Sequence, residues 1–133
     1  NDNTRPYDGI PELLRDLKTR GVKLAVTSNK IDCMVQLIVS QYFKNTFDYV
    51  TGQKEHVPIK PDPAMVFAAM ESFGVMPTEC VYVGDSGVDA RTGSNSGAFT
   101  VGVSWGFRTV GELLEGGADA IISKPAELLR YVR

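Results

Sequence analysis

Short apolar runs alternate with stretches of helical periodicity along the chain. Ile10, Leu13, Leu14 and Leu17 fall at i, i+3, i+4 and i+7, one face of a helix. Pro11 suits the first turn of that helix and Gly21 its end. Val22 to Val26 then reads as a strand. Val35, Ile38, Val39 and Tyr42 mark a second helix, and Phe47 to Val50 a short strand. A polar loop follows from Thr51 to Pro61. Val66, Ala69, Met70 and Phe73 mark a third helix that Gly74 stops. Cys80 to Val83 is a strand, Val88 to Ser96 a helix and Phe99 to Val103 a strand. Val110 to Leu114 predicts a short helix, Ala120 to Ile122 a last strand and Ala126 to Val132 a last helix.

Strands that alternate with helices imply right-handed crossovers and a mostly parallel sheet, an α/β fold. Ligands of such sheets bind beyond the carboxyl ends of the strands. The chemistry is therefore expected after Val26, near Val50 and after Val83. The 133 residues fit one domain, and a hydrophobic fraction of 43% supports a real core. A net charge of −2 gives no reason to expect nucleic acid or an anionic membrane as partner. No apolar stretch approaches the ~20 residues of a bilayer span, and no signal peptide is visible, so a cytoplasmic protein is expected. The two cysteines, Cys33 and Cys80, make no disulfide framework. Cys80 opens an apolar run and is expected to be buried.

Polar residues gather at the expected strand ends. Thr27-Ser28-Asn29-Lys30 follows Val26, and Gly84-Asp85-Ser86-Gly87-Val88-Asp89 follows Val83. Ile59-Lys60-Pro61-Asp62-Pro63 leads into the third helix. Asp85 at a strand end and Asp89 in the first turn of a helix are placed to converge on one point, as hard oxygen ligands of Mg²⁺. A turn residue and a helix N-terminal charge explain the pair equally well on spacing alone. Ser28 is either a helix cap or a donor to a phosphoryl oxygen. A lone loop lysine is usually solvated, but Pro61 and Pro63 restrict where the Lys60 ammonium goes. A fixed cation is what phosphoryl transfer needs. His56, the single histidine, sits in a polar loop and reads as a surface residue. Neither a Walker loop nor G-x-G-x-x-G is present.

The order of these segments resembles motifs II, III and IV of the haloacid dehalogenase superfamily. They are a strand then Ser28, Lys60-Pro-Asp-Pro before a helix, and a strand then Gly84-Asp-Ser-Gly-Val-Asp89. The run Glu79-Cys-Val-Tyr-Val-Gly-Asp-Ser, then Val101-Gly-Val-Ser-Trp-Gly106 and Ala118-Asp-Ala-Ile-Ile-Ser123, is similar to its phosphoglycolate phosphatase branch. The resemblance implies a three-layer, Rossmann-like core. It also implies a Mg²⁺-dependent phosphomonoesterase that works through an aspartyl-phosphate on a small phosphorylated metabolite. By position, Ser28 and Asn29 would contact the phosphoryl group, and Lys60 would neutralise it. Asp85 would bind Mg²⁺ directly. Asp89 would bind it through water or hold Lys60. A phosphosugar mutase, or an inactive metal-binding regulatory domain, is the alternative.

The family's first motif, Asp-x-Asp after an apolar strand, occurs nowhere in these residues. The expectation is a partial core over residues 1–133, without the first strand, the nucleophile, the general acid or the cap, and inactive alone. The resemblance places that first strand between the strands ending at Ser28 and Asp85. Those two strands are then expected either to pair directly or to take a strand from another chain, through swapping or self-association. Gly93 and Ser94 further predict a short or irregular helix after Asp89.

Overall fold

The computed structural model describes residues 9–105 and 110–132. Helix α1 (Ile10–Thr19) carries Pro11 in its first turn and buries Leu13 and Leu17. It is followed by β1 (Ala25–Ile31), α2 (Asp32–Tyr42) and β2 (Tyr49–Gln53). Helix α3 (Ala64–Phe73) ends at Gly74, whose φ of 68° is the left-handed conformation a helix terminus favours. Then come β3 (Val81–Gly84), α4 (Gly87–Ser96), β4 (Phe99–Val103), α5 (Val110–Gly116) and β5 (Ala120–Ile122). The expected last helix is a 3₁₀ helix, Pro125–Tyr131.

All strand pairs are parallel, as the alternation of strands and helices predicts. They form two sheets, β1-β2 and β3-β4-β5. Period-two alternation in β4 divides the faces. Val101 and Val103 join Leu13, Leu17, Leu24, Ile122 and Leu128 in one core, packed under α1 and the 3₁₀ helix. Thr100 and Gly102 turn the other way, toward Gly93 of α4 and Leu113 of α5. Val66 and Met70 of α3 pack with Ala98 beside Tyr82 on that second face. The result is three layers, helix, sheet and helix. Leu113 and Val101 are fully buried, each stabilising the fold by about 2 kcal/mol.

Several expectations shift. The strand expected at Val22–Val26 begins at Ala25 and continues to Ile31, so Ser28 and Asn29 lie within it. Before Ala25 the chain is fastened differently. Leu24 N–H donates to Asp48 Oδ2, and Leu24 O accepts from the Asp48 and Tyr49 N–H groups. The second strand likewise runs later, to Gln53. Cys80 is only partly buried, just outside β3, with its thiol 3.5 Å from Met76 O. The helix after Asp89 is regular over ten residues. Gly93 is there because a Cβ would press on Thr100 and come within 2.9 Å of Tyr82 Cδ2.

Strands β1 and β3 do not pair with each other, so direct pairing across the centre is not how this chain is built. Val83, near the end of β3, is 41% exposed.

Candidate functional site

The loop before α3 is fastened to β1 by one side chain. Asn29 Oδ1 accepts from Lys60 N–H at 2.9 Å, and Asn29 Nδ2 donates to Lys60 O at 3.2 Å. Asn95 of α4 donates to the next carbonyl, Pro61 O, at 3.0 Å. Thus anchored, Lys60 sends its ammonium inward. Nζ donates to Thr27 O at 3.1 Å and to Asp89 Oδ1 at 2.8 Å. Both side chains of this ion pair are largely buried, 11% and 17% exposed. Ser28 lies between Thr27 and Asn29. Its hydroxyl accepts from Lys30 N–H at 3.1 Å, which leaves the hydroxyl hydrogen as a donor.

The end of β3 is shaped around Asp89. Ser86 caps α4, its Oγ accepting from Asp89 N–H at 3.2 Å. Asp89 Oδ2 in turn accepts from Asp85 N–H at 3.3 Å, and Tyr82 OH donates to Asp89 Oδ1 at 3.4 Å. Gly84 is a packing requirement, since a Cβ there would collide with the Asp89 side chain.

The two carboxylates titrate in opposite directions. Burial alone would raise the Asp89 pKa. The Lys60 charge and hydrogen bond, with the Asp85 N–H and Ser86, outweigh it and hold the carboxyl below its ordinary value. Asp85 is pushed up, first by burial and then by the negative charge of Asp89. Burial would lower the Lys60 pKa, but Tyr82 and Asp89 together raise it. The site therefore holds one matched ion pair and one carboxylate whose ionisation its surroundings disfavour.

Of the residues singled out by sequence, Lys60 and Asp89 meet directly, and Asp85 joins them through its main chain. Asn29 reaches the Lys60 main chain with both polar atoms of its amide. His56 is exposed beside Glu55 at 3.8 Å. Thr27 and Gly84 lie in the strand-end segments singled out but carry no assigned role there, and Tyr82 and Asn95 are not singled out as site residues. Only Tyr82 carried a signal, as a polar-tipped aromatic on a strand that ends in the Gly-Asp pair.

Among the described residues no group of three or more His, Cys, Asp or Glu gathers to cage a metal. Magnesium needs no such cage. It takes one or two carboxylates and keeps several waters. The half-buried, electrostatically disfavoured Asp85 fits that demand, with Asp89 behind it.

Comparison with known proteins gives the family and the fold. Residues 1–103 match the family described as haloacid dehalogenase-like hydrolase. A phosphoglycolate phosphatase of Aquifex aeolicus is 31% identical over 97% of this chain and 60% of its own length. An N-acetylmuramic acid 6-phosphate phosphatase of Pseudomonas aeruginosa is 31% identical over 95% of this chain and 57% of its own length. A solved structure from Lactobacillus delbrueckii subsp. bulgaricus, named as a candidate phosphoglycolate phosphatase, superposes with a TM-score of 0.91. It is 38% identical and covers 96% of this chain and 54% of that one. This chain thus spans 60% or less of the length of each of these three relatives. With the family match over residues 1–103 and the shared fold in agreement, the chain belongs to the haloacid dehalogenase-like hydrolases.

Proposed function

We propose that these residues form the larger part of the catalytic core of a Mg²⁺-dependent phosphomonoesterase of the phosphoglycolate phosphatase type. The observation that carries the proposal is Lys60. It is anchored through Asn29 and held 2.8 Å from Asp89 at the carboxyl ends of β1 and β3. A buried cation immobilised by Asp89, next to the strand end that carries Asp85, is arranged to offset negative charge at a phosphoryl group.

In this reading Ser28 donates its hydroxyl hydrogen to a phosphoryl oxygen. Lys60 neutralises the transferring group, and Asp85 is the direct ligand of Mg²⁺. Asp89 fixes Lys60 and would bind the metal through water or hold its shell in place. The Asn29 amide is turned to Lys60, so its contact with phosphate is through the main chain. When bound, Mg²⁺ supplies positive charge that orients the phosphoryl oxygens. The aspartate that attacks phosphorus is carried on a parallel strand seated between β1 and β3, whose facing edges do not pair. That strand comes from elsewhere in the same protein or from a second chain. Its attack breaks the ester P–O bond, a general acid two residues further along the same strand protonates the departing alcohol oxygen, and water then hydrolyses the aspartyl-phosphate to inorganic phosphate.

The test is release of inorganic phosphate from 2-phosphoglycolate and other phosphomonoesters, in Mg²⁺. The full-length protein is expected to turn over, and the 133 residues alone are not. Turnover by the 133 residues alone would overturn the borrowed nucleophile. Silence of the full-length protein on every ester would favour a regulatory domain. Isomerisation of a phosphosugar without phosphate release would favour a mutase.

A further inference from the structure

We infer that Glu112 of α5 is a positioning residue for the turn that carries Asp85, acting through the Gly87 N–H. The inference rests on the reading of Asp85 as the Mg²⁺ ligand. Gly87 opens α4, where main-chain N–H groups have no partner within the helix. Glu112 Oε2 accepts from the Gly87 N–H at 2.9 Å, from a helix 25 residues further along the chain.

The approach of the two helices is built for this contact. A Cβ on Gly87 would lie 3.0 Å from Glu112 Cγ. One turn further along α5, a Cβ on Gly116 would lie 2.8 Å from Gly87 O and 2.7 Å from Ala90 Cβ. Two glycines therefore let α5 lie directly on the first turn of α4. A carboxylate placed there also suits the positive end of the helix dipole.

Three N–H groups of the turn are each taken by a side chain of this protein. Asp85 N–H goes to Asp89 Oδ2, Gly87 N–H to Glu112 Oε2 and Asp89 N–H to Ser86 Oγ. With these donors occupied, the turn holds its shape without a bound anion and offers Asp85 to a cation. Asp89 and Ser86 are local to the turn. Glu112 is the member of the three that ties it to another element.

The experiment is a calorimetric titration of the full-length protein with Mg²⁺, alongside thermal unfolding of each variant. Glu112→Ala is expected to weaken Mg²⁺ binding about five- to tenfold. Glu112→Gln keeps an acceptor oxygen and is expected to stay within about twofold of wild type. Gly87→Ala crowds Glu112 Cγ by a few tenths of an ångström and is expected to weaken binding in the same direction as Glu112→Ala, but by less. Adding Gly87→Ala to Glu112→Ala should cost little beyond Glu112→Ala alone, because the Gly87 contact is already lost. If Glu112→Ala does not fold, Gly87→Ala carries the comparison. Unchanged binding in Glu112→Ala overturns the inference. So does equal weakening by Gln and Ala, which would make Glu112 a remote charge. If wild type binds no Mg²⁺, the proposed metal site fails, and the inference is read from the metal-free protein. There the Asp85 amide resonance must move in Glu112→Ala and not in Glu112→Gln, and any other pattern overturns it.

Discussion

Lys60 Nζ lies 2.8 Å from Asp89 Oδ1, and this contact ties the loop before α3 to the first turn of α4. It spans the line across which β1 and β3 share no ladder. Removing one partner leaves the other charge buried and unmatched. Asp89→Ala is expected to destabilise the protein by about 2 to 3 kcal/mol, read from urea unfolding. Replacing both partners, Lys60→Met with Asp89→Leu, is expected to cost less than Asp89→Ala alone.

The same pair sets a pH window. Asp89 has a folded pKa below its ordinary 3.8, so its contribution is complete above 3.8 and is lost as pH falls through the folded value. Lys60 has a folded pKa above its ordinary 10.5, so its contribution is complete below 10.5 and is lost as pH rises through the folded value. The stability difference between wild type and Asp89→Asn should therefore be flat from about pH 5 to 9 and shrink on both sides. Unfolding free energies measured across that range check it.

Asn29 fixes the Lys60 main chain from both sides. In Asn29→Ala the Lys60 amide loses its acceptor, and its hydrogen exchange is expected to quicken by about fivefold or more. Asn29→Asp keeps an acceptor for that amide and should retain most of the protection. Exchange measured by NMR at Lys60 separates the two.

Much of this site was readable from sequence because strand ends and polar residues coincide in it. Ser28, Asp85 and Asp89 follow apolar runs and Lys60 sits between prolines before a helix, and the structure joins Lys60, Asp85 and Asp89 in one hydrogen-bonded group. Boundaries were less readable. Val22 to Leu24 are as apolar as a strand, yet Leu24 is held by the Asp48 side chain and adjoining main chain, so the ladder starts at Ala25. Gly93 looked like a helix breaker, but its lack of a side chain is what lets α4 lie against Thr100 and Tyr82. The roles of Tyr82 and Thr27 are not readable from sequence because they depend on tertiary contacts. Period and composition do not encode which carbonyl a distant lysine will reach.

Gly84 is an equally hidden requirement. Its missing Cβ is the space that Asp89 fills. Gly84→Ala is expected to destabilise by about 1 to 3 kcal/mol through overpacking. It should also displace Asp89 from Lys60, and a crystal structure of the variant shows whether that pair has lengthened beyond 2.8 Å.

The most direct measurement of the proposed function is phosphate release by the full-length protein, wild type against Asp85→Asn, in Mg²⁺ and in excess EDTA. Wild type is predicted to release phosphate in Mg²⁺ and to stop in EDTA. Asp85→Asn, while folding normally, is predicted to lose at least about a hundredfold in rate. Release that survives EDTA, or an Asp85→Asn variant as active as wild type, would contradict the assignment of Asp85 as the metal ligand of a phosphatase.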